Sequence, residues 1–330
     1  MTANKQQPLY SVVSYFCGCG GLDLGFRGGF RYHNENYERL PFNIDSAYDK
    51  ESRCVETYNG YFGEHAKCVD LSVIDAKDVP KATILIGGFP CQEFSSCGPL
   101  GGLGSERGKL YKALISYMEE HKPSLVICEN VINLERMDNG KVLNTITGDL
   151  EKAGYKVKVW NLFAPGFGIP QRRTRLFIIC VRNDIYKKFG FPNEPRANFD
   201  ANNYRSVEWA IGDLVGVSDD SVPNQDQYFW ASKAKNGNGQ GDESNKKDMP
   251  AYTIRANPKS CVQFHYCLPR RLTVRECARI QTFPDDFKFT HAKTASVSQI
   301  GNAVPPVLAH VVAKSIADYL KNVESGNGNA

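Results

Sequence analysis

The sequence predicts an α/β domain on a mainly parallel sheet, joined to a second, smaller and irregular region. Short apolar runs alternate with stretches of helical period through the first half of the chain. The runs are apolar throughout rather than alternating, as in strands covered on both faces. The pattern then dissolves between residues 183 and 268 and returns before a last amphipathic stretch. "LYSVVSYF" (9–16), rich in β-branched and aromatic residues, is the first strand. "TILIG" (83–87) and "SLVICEN" (124–130) are buried strands of the same sheet, and "KVKVWNLF" (156–163) and "RLFIICVR" (175–182) continue it. Between them, "GKLYKALISYMEEH" (108–121) sets Leu110, Leu114, Ile115, Tyr117 and Met118 at helical spacing. "KVLNTITGDLEKAGY" (141–155) is a second such helix, with Gly154 as its stop signal. Residues 183–268 hold many Asn, Asp, Gly and Pro, and "KNGNGQGDESNKKD" (235–248) reads as a polar loop. Order returns at "RRLTVRECARIQTF" (270–283), and "VPPVLAHVVAKSIADYL" (304–320) is a closing helix. No internal repeat is present.

A chain of 330 residues exceeds the usual single domain of roughly 100–200, which fits one large domain and one small one. Its formal net charge of +4 suits an anionic partner without requiring one. Residues 182–271 carry 13 Lys and Arg against 11 Asp and Glu, so this segment is not a basic patch by composition. The opening "MTANKQQPLY" lacks the basic and apolar regions of a signal peptide. No apolar run approaches the ~20 residues of a membrane span. With 11 cysteines at irregular spacing, a cytoplasmic protein with reduced thiols is the expectation. Cys17 and Cys19 are not joined by a second ligand pair, so no metal site is expected.

Several motifs carry chemistry. In "GGFPCQEFSSCG" (87–98), Cys91 follows Pro90 between glycines, a loop suited to holding a thiolate toward a substrate. "YFCGCGGLDLGF" (15–26) lets backbone approach a ligand between the first strand and a helix, or is merely a tight turn. Its glycine order is not that of dinucleotide binders. Phe16 can stack on an adenine or belong to the core. Asp70 in "VDLS" can accept from an exocyclic amine or close a turn. Glu129 in "ENV" ends an apolar strand, where open parallel sheets place their ligand crevice. Arg173 and Arg175 in "QRRTR" alternate onto one side, suiting an anion or a carbonyl-rich substrate, or a solvated basic edge. "QIGNAVPP" (299–306) can add a Gly-Asn turn to a ligand site.

Taken in series, "FCGCGG", "VDLS", "GGFPCQEFS", "ERGKLY", "ENV", "QRRTR", "RRLTVRECARIQTFPDDF" and "QIGNAVP" resemble the cytosine-5 DNA methyltransferases of bacterial restriction–modification systems. The similarity runs almost end to end. Around "PAYTIRA" (250–256) and the 270–287 stretch it is especially close to GGCC-modifying members, a closeness in the common core that does not fix the target. The resemblance implies a Rossmann-like, S-adenosylmethionine-dependent fold. Residues 1–182 would be the catalytic and cofactor-binding domain, 183–269 the target-recognition domain, and 270–330 a hinge with the returning C-terminal helix. It implies Cys91 as nucleophile on a flipped-out cytosine, Glu129 at ring nitrogen 3 and the amine, and Arg175 with Arg173 at the carbonyl of position 2. The S-adenosylmethionine pocket would comprise Phe16, Gly18, Gly20, Gly21, Asp70, Pro90, Leu110 and Asn302. Gln92, Ser95, Arg107, Thr253 and Arg255 would face double-stranded DNA. The implied state is a monomer, with a cognate restriction endonuclease sharing its site without stable contact.

One departure concerns the acidic residue that the family sets against the ribose hydroxyls: the matching position is Ala47, so that either Asp45 substitutes or the alignment slips in the longer 27–46 segment. Three other readings compete. A tRNA cytosine-5 methyltransferase would share the catalytic motifs but not need a separate recognition lobe of some 85 residues. A silent binding protein would not need Cys91, Glu129 and Arg175 together. A nucleotide-binding oxidoreductase would leave the Pro-Cys-Gln motif without a role.

Overall fold

The computed structural model describes residues 9–90, 110–228, 243–256 and 263–326. Seven strands form one sheet: β1 (Tyr10–Tyr15), β4 (Phe42–Asp49), β5 (Ala66–Cys68), β6 (Ile84–Gly87), β7 (Leu125–Val131), β8 (Tyr155–Phe163) and β9 (Thr174–Arg182). Their order is β5-β4-β1-β6-β7-β9-β8. The pairs from β5 to β7 are parallel, and β9 runs antiparallel to both β7 and β8. A hairpin of β2 (Phe30–Tyr32) and β3 (Glu35–Tyr37), absent from the sequence reading, occupies part of the long 27–46 segment.

The apolar strands divide their side chains between two cores, as a period of two requires. Val12, Ile84, Ile86, Leu125 and Ile127 face the helices α1 (Gly21–Arg27), α2 (Ser52–Phe62) and the C-terminal helix α9 (Pro306–Glu324). Val13, Leu85, Val126 and Cys128 face α3 (Tyr111–His121) and α4 (Lys141–Lys152). The closing helix of the sequence reading is therefore α9, packed back on α1. With α8 (Lys293–Asn302) it forms the one described stretch long and apolar enough to cross a membrane. Of the 18-residue apolar window within it, 72% is buried in the protein, as in a core helix.

Among the described residues of 183–268 there is little regular structure: α5 (Asn183–Phe189), α6 (Val207–Ile211), a short 3-10 turn and isolated bridges. Their inner side is nevertheless continuous with the main core, through Val207, Ala210, Ile211, Leu214, Ala251 and Ile254. Arg205 pairs with Glu35 of the hairpin and stacks on Trp209, fastening this region to the α/β body. Helix α7 (Val274–Ile280) opens with a capping box, the Thr273 hydroxyl accepting from Glu276 N–H and the Glu276 carboxylate from Thr273 N–H. The eight described cysteines are all free thiols.

Candidate active site

Strand order reverses between β1 and β6, and a crevice opens at the carboxyl ends of the parallel strands. A cavity of about 740 Å³ lies there. The ends of β1, β4, β6 and β7 each deliver residues to it: Phe16, Asp49, Pro90 and Glu129.

One end of the cavity is made from turns. Phe16 leaves β1 with a φ of 55°, a left-handed conformation that costs a side chain roughly 1 kcal/mol or more and swings the chain into the glycine loop. The loop is held by Asp49, whose carboxylate accepts from Gly18 N–H at 2.9 Å and Glu51 N–H at 2.9 Å. Burial raises the Asp49 carboxyl, and those two amides oppose the rise. Asp70 lines the cavity and also closes a turn, accepting from Ser72 N–H at 2.9 Å, which holds its carboxyl below the ordinary range. The turn reading of Asp70 is seen directly, and its place in the cavity wall is open to a ligand. Gly18, Gly21, Leu110 and Asn302 line the same space.

Two expectations are corrected here. Gly20 does not line the cavity; a Cβ there would lie 2.5 Å from the Phe62 ring and 2.8 Å from Tyr58, so this glycine serves packing. Ala47 is 0% exposed inside β4, and Asp45 lies on the exposed side, bonded to Asn43. The cavity acids at this strand end are Asp49 and Glu51, further along "DSAYDKE". Strand alternation was the available signal: the cavity begins where β4 ends, not two residues earlier. Beneath the loop sits Asp23, wholly buried, accepting from the Ser14 and Tyr58 hydroxyls, its carboxyl pushed up to about 6 mainly by burial.

The other end of the cavity is made from charges removed from water. Because β9 is antiparallel to β7, its first residues reach the last residues of β7, with Arg175 opposite Val131. Glu129, two positions back on the same face of β7, becomes the diagonal neighbour of Arg175. Their side chains form an ion pair, Arg175 Nε to Glu129 Oε1 at 2.6 Å. Glu129 is 7% exposed and Arg175 9%. Burial pushes the Glu129 carboxyl up, and Arg175, then Arg173, pull it back. Asn130 sits beside them unforeseen; its amide donates to Phe89 O at 2.9 Å and ties β7 to the segment that leads into Pro90.

Arg173 lines the cavity but does not share the position of Arg175. Its Nη1 and Nη2 donate to main-chain carbonyls of Ile254, Gly301 and Ala303, with a longer bond from Nη1 to Gln171 Oε1, whereas Arg175 is paired with Glu129. Thr253 and Arg255 line the cavity from the far side, and the Thr253 hydroxyl donates to Arg172 O, bracing the backbone. Cys91, Gln92, Ser95 and Arg107 lie outside the described residues. Pro90, the residue before Cys91, shares the cavity wall with Glu129 and Arg175. Among the described residues no cluster of His, Cys, Asp and Glu suits a metal ion.

This geometry can hold a nucleoside at one end and stabilise charge on a small polar ring at the other. The comparisons agree in kind. The chain is 33% identical to the Type II methyltransferase M.BspRI of Lysinibacillus sphaericus, across 95% of its length and 84% of that protein. It is 31% identical to the Type II methyltransferase M.FnuDI of Fusobacterium nucleatum, covering 95% and 96%. Its fold is similar to that of the S. pombe Dnmt2 methyltransferase, with a TM-score of 0.68 at 18% identity over 95% of this chain and 99% of that one. The profile of the C-5 cytosine-specific DNA methylases matches residues 10–318, and the chain belongs to that family of DNA methyltransferases.

Proposed function

We propose that the chain moves a methyl group from S-adenosylmethionine to carbon 5 of a cytosine flipped out of duplex DNA, through a covalent Cys91 adduct. One observation carries this reading: a single cavity joins a nucleoside-sized, carboxylate-edged end to the buried Glu129–Arg175 pair, with Pro90 in its wall. The residues of the first end fit S-adenosylmethionine. Phe16 would offer a ring for the adenine, Asp70 an acceptor for its amine, and Asp49 and Glu51 carboxylates for the ribose hydroxyls. When bound, the cofactor supplies an electrophilic methyl on a sulfonium.

The chain supplies the rest. The Cys91 thiolate adds to carbon 6, and the ring electrons move to carbon 5, which takes the methyl. Arg175 faces the charge that develops at the carbonyl, and Glu129 holds a proton at nitrogen 3. Loss of the proton from carbon 5 then expels the thiolate and restores the ring. A duplex buries carbon 6 in the stack, so the base must leave it. Residues 183–269 read the duplex in this account, with the enzyme acting as a monomer alongside a cognate restriction endonuclease. The family to which the chain belongs favours DNA over tRNA as substrate.

Duplex DNA with 5-fluorocytosine at the target should trap the wild-type protein as a denaturation-resistant adduct, because fluorine cannot leave as a cation. Cys91→Ser should form none and lose at least ~10³-fold in methyl transfer. An undiminished adduct in the serine variant removes Cys91 as the attacking group.

A further inference from the structure

A single guanidinium outside the cavity wall joins three parts of the chain that are far apart in sequence. Arg205 belongs to the irregular region, and its Nη1 and Nη2 donate to the two carboxylate oxygens of Glu35 on β3, Nη1 to Oε2 at 3.1 Å. Its Cζ lies 4.2 Å from the centre of the Trp209 ring on α6 and 5.1 Å from that of Phe199. Phe199 rests on the turn between β8 and β9: a Cβ on Gly168 would fall 2.9 Å from the Phe199 ring and 3.3 Å from Arg205 Cζ. In the same turn Gly166 O accepts from Asn198 N–H at 2.9 Å and Phe199 N–H at 3.1 Å. This turn leads into Arg173 and Arg175 at the cavity rim.

The Arg205 side chain is 13% exposed, so its pair with Glu35 is not a solvated surface contact. A forked and stacked guanidinium is fixed in place as an ordinary surface pair is not. Burial acts to raise the Glu35 carboxyl, yet the Arg205 fork and the Tyr37 hydroxyl, 2.9 Å away, hold it below its ordinary range. The β2–β3 hairpin grips its neighbours at two further points. His33, left-handed at a φ of 50°, sets its ring centre 4.3 Å from that of Trp209 and donates from Nε2 to Ala210 O at 3.0 Å. The Tyr32 hydroxyl donates to Arg279 O at 2.7 Å, near the end of α7.

We infer that Arg205 is a positioning residue: with the β2–β3 hairpin it holds the irregular region in its duplex-binding orientation beside the catalytic rim. This rests on the proposed reading of duplex DNA by residues 183–269. A region already held needs no ordering when the duplex arrives. A region released from the clamp must be ordered then, and affinity falls. Once bound, the duplex holds the region in the clamp's stead, and Arg175 keeps its own partner in Glu129. The loss should therefore fall on duplex affinity and not on the chemical step.

The test uses the full chain and an oligonucleotide duplex bearing the site mapped by bisulfite sequencing. It compares duplex Kd with the single-turnover rate of methyl transfer at saturating protein and cofactor. Arg205→Ala should weaken duplex binding about 3- to 10-fold, the span expected for one anchor set loose. Its saturated rate and its S-adenosylhomocysteine affinity should stay within about twofold of wild type. Glu35→Gln removes a charge from a half-exposed side chain and guards against an alanine variant that fails to fold. It should weaken duplex binding about 2- to 4-fold. Added to Arg205→Ala it should cost less than about twofold more, because its partner is already gone. A clamp that only stabilises the fold would lower Tm and leave duplex affinity unmoved in both variants, and that result overturns the inference. A saturated rate that falls as far as affinity also overturns it. If wild type neither binds nor methylates the duplex, the functional reading fails first, and the role of the clamp with it.

Discussion

The two ends of the cavity are built on opposite principles. At the nucleoside end, backbone geometry does the placing: the left-handed Phe16, the loop hung on Asp49 and the turn closed by Asp70. The carboxylate of Asp70 there is exposed and stays charged. At the other end, an antiparallel register places two charged side chains, and burial makes each depend on the other. The difference teaches where substitutions should act. Changes at the first end should alter affinity and leave the fold intact. Changes at the second should alter the chemistry, and careless ones should damage the fold.

The largest expected effect is Glu129→Ala. It leaves Arg175 buried without its carboxylate, which should lower stability by about 3–5 kcal/mol in urea denaturation. Asp70→Ala, in the exposed half, should cost less than about 1 kcal/mol. Equal losses would erase the distinction between the ends.

Asp23 sharpens the comparison because it is a buried acid beneath the exposed end. Burial pushes its folded carboxyl up to about 6 from the ordinary 3.8, so the folded protein binds the proton more tightly than the unfolded chain. The resulting stability is present at low pH and is lost as pH rises from about 4 through 6, by up to about 3 kcal/mol. The stability of wild type relative to Asp23→Asn should therefore fall by that order between pH 4 and pH 7. A difference that is flat with pH would show Asp23 to be no more desolvated than a surface acid.

A third effect is smaller. Phe16→Ala should weaken S-adenosylhomocysteine binding by about 1–3 kcal/mol in calorimetry, the scale of an aromatic–base stack. Unchanged affinity would return Phe16 to a packing role. Asp70→Ala should weaken the same binding by about 0.5–1.5 kcal/mol, one hydrogen bond's worth.

Much of this was legible in the sequence, for a physical reason. Strands buried on both faces must be apolar throughout, so β1, β6 and β7 stand out, and a residue such as Glu129 at the end of one is conspicuous. The direction of β9 was not legible, since a buried strand reads alike either way; yet that direction brings Arg175 to Glu129. Arg173 looked like a partner of Arg175 because alternation sees the strand and not the carbonyls of Ile254, Gly301 and Ala303, which come from elsewhere in the chain. Ala47 was chosen by matching a spacing, whereas the cavity begins only at Asp49, where β4 stops. The 183–268 segment gave no period because its order comes from side-chain ties and shared core contacts, such as Arg205 to Glu35 and Ile211 in the main core.

The central claim is that one cavity divides affinity from chemistry. Its most direct test measures S-adenosylhomocysteine affinity and single-turnover methyl transfer, at saturating cofactor, in Phe16→Ala and Glu129→Gln. Glutamine keeps the size and a hydrogen bond of Glu129 but removes its charge and its proton. The account predicts a crossed result. Phe16→Ala should lose affinity and keep most of its saturated rate, while Glu129→Gln should keep its affinity within about twofold and lose about 10²-fold or more in rate. Parallel losses in both variants, or a Glu129→Gln enzyme at full rate, would contradict it.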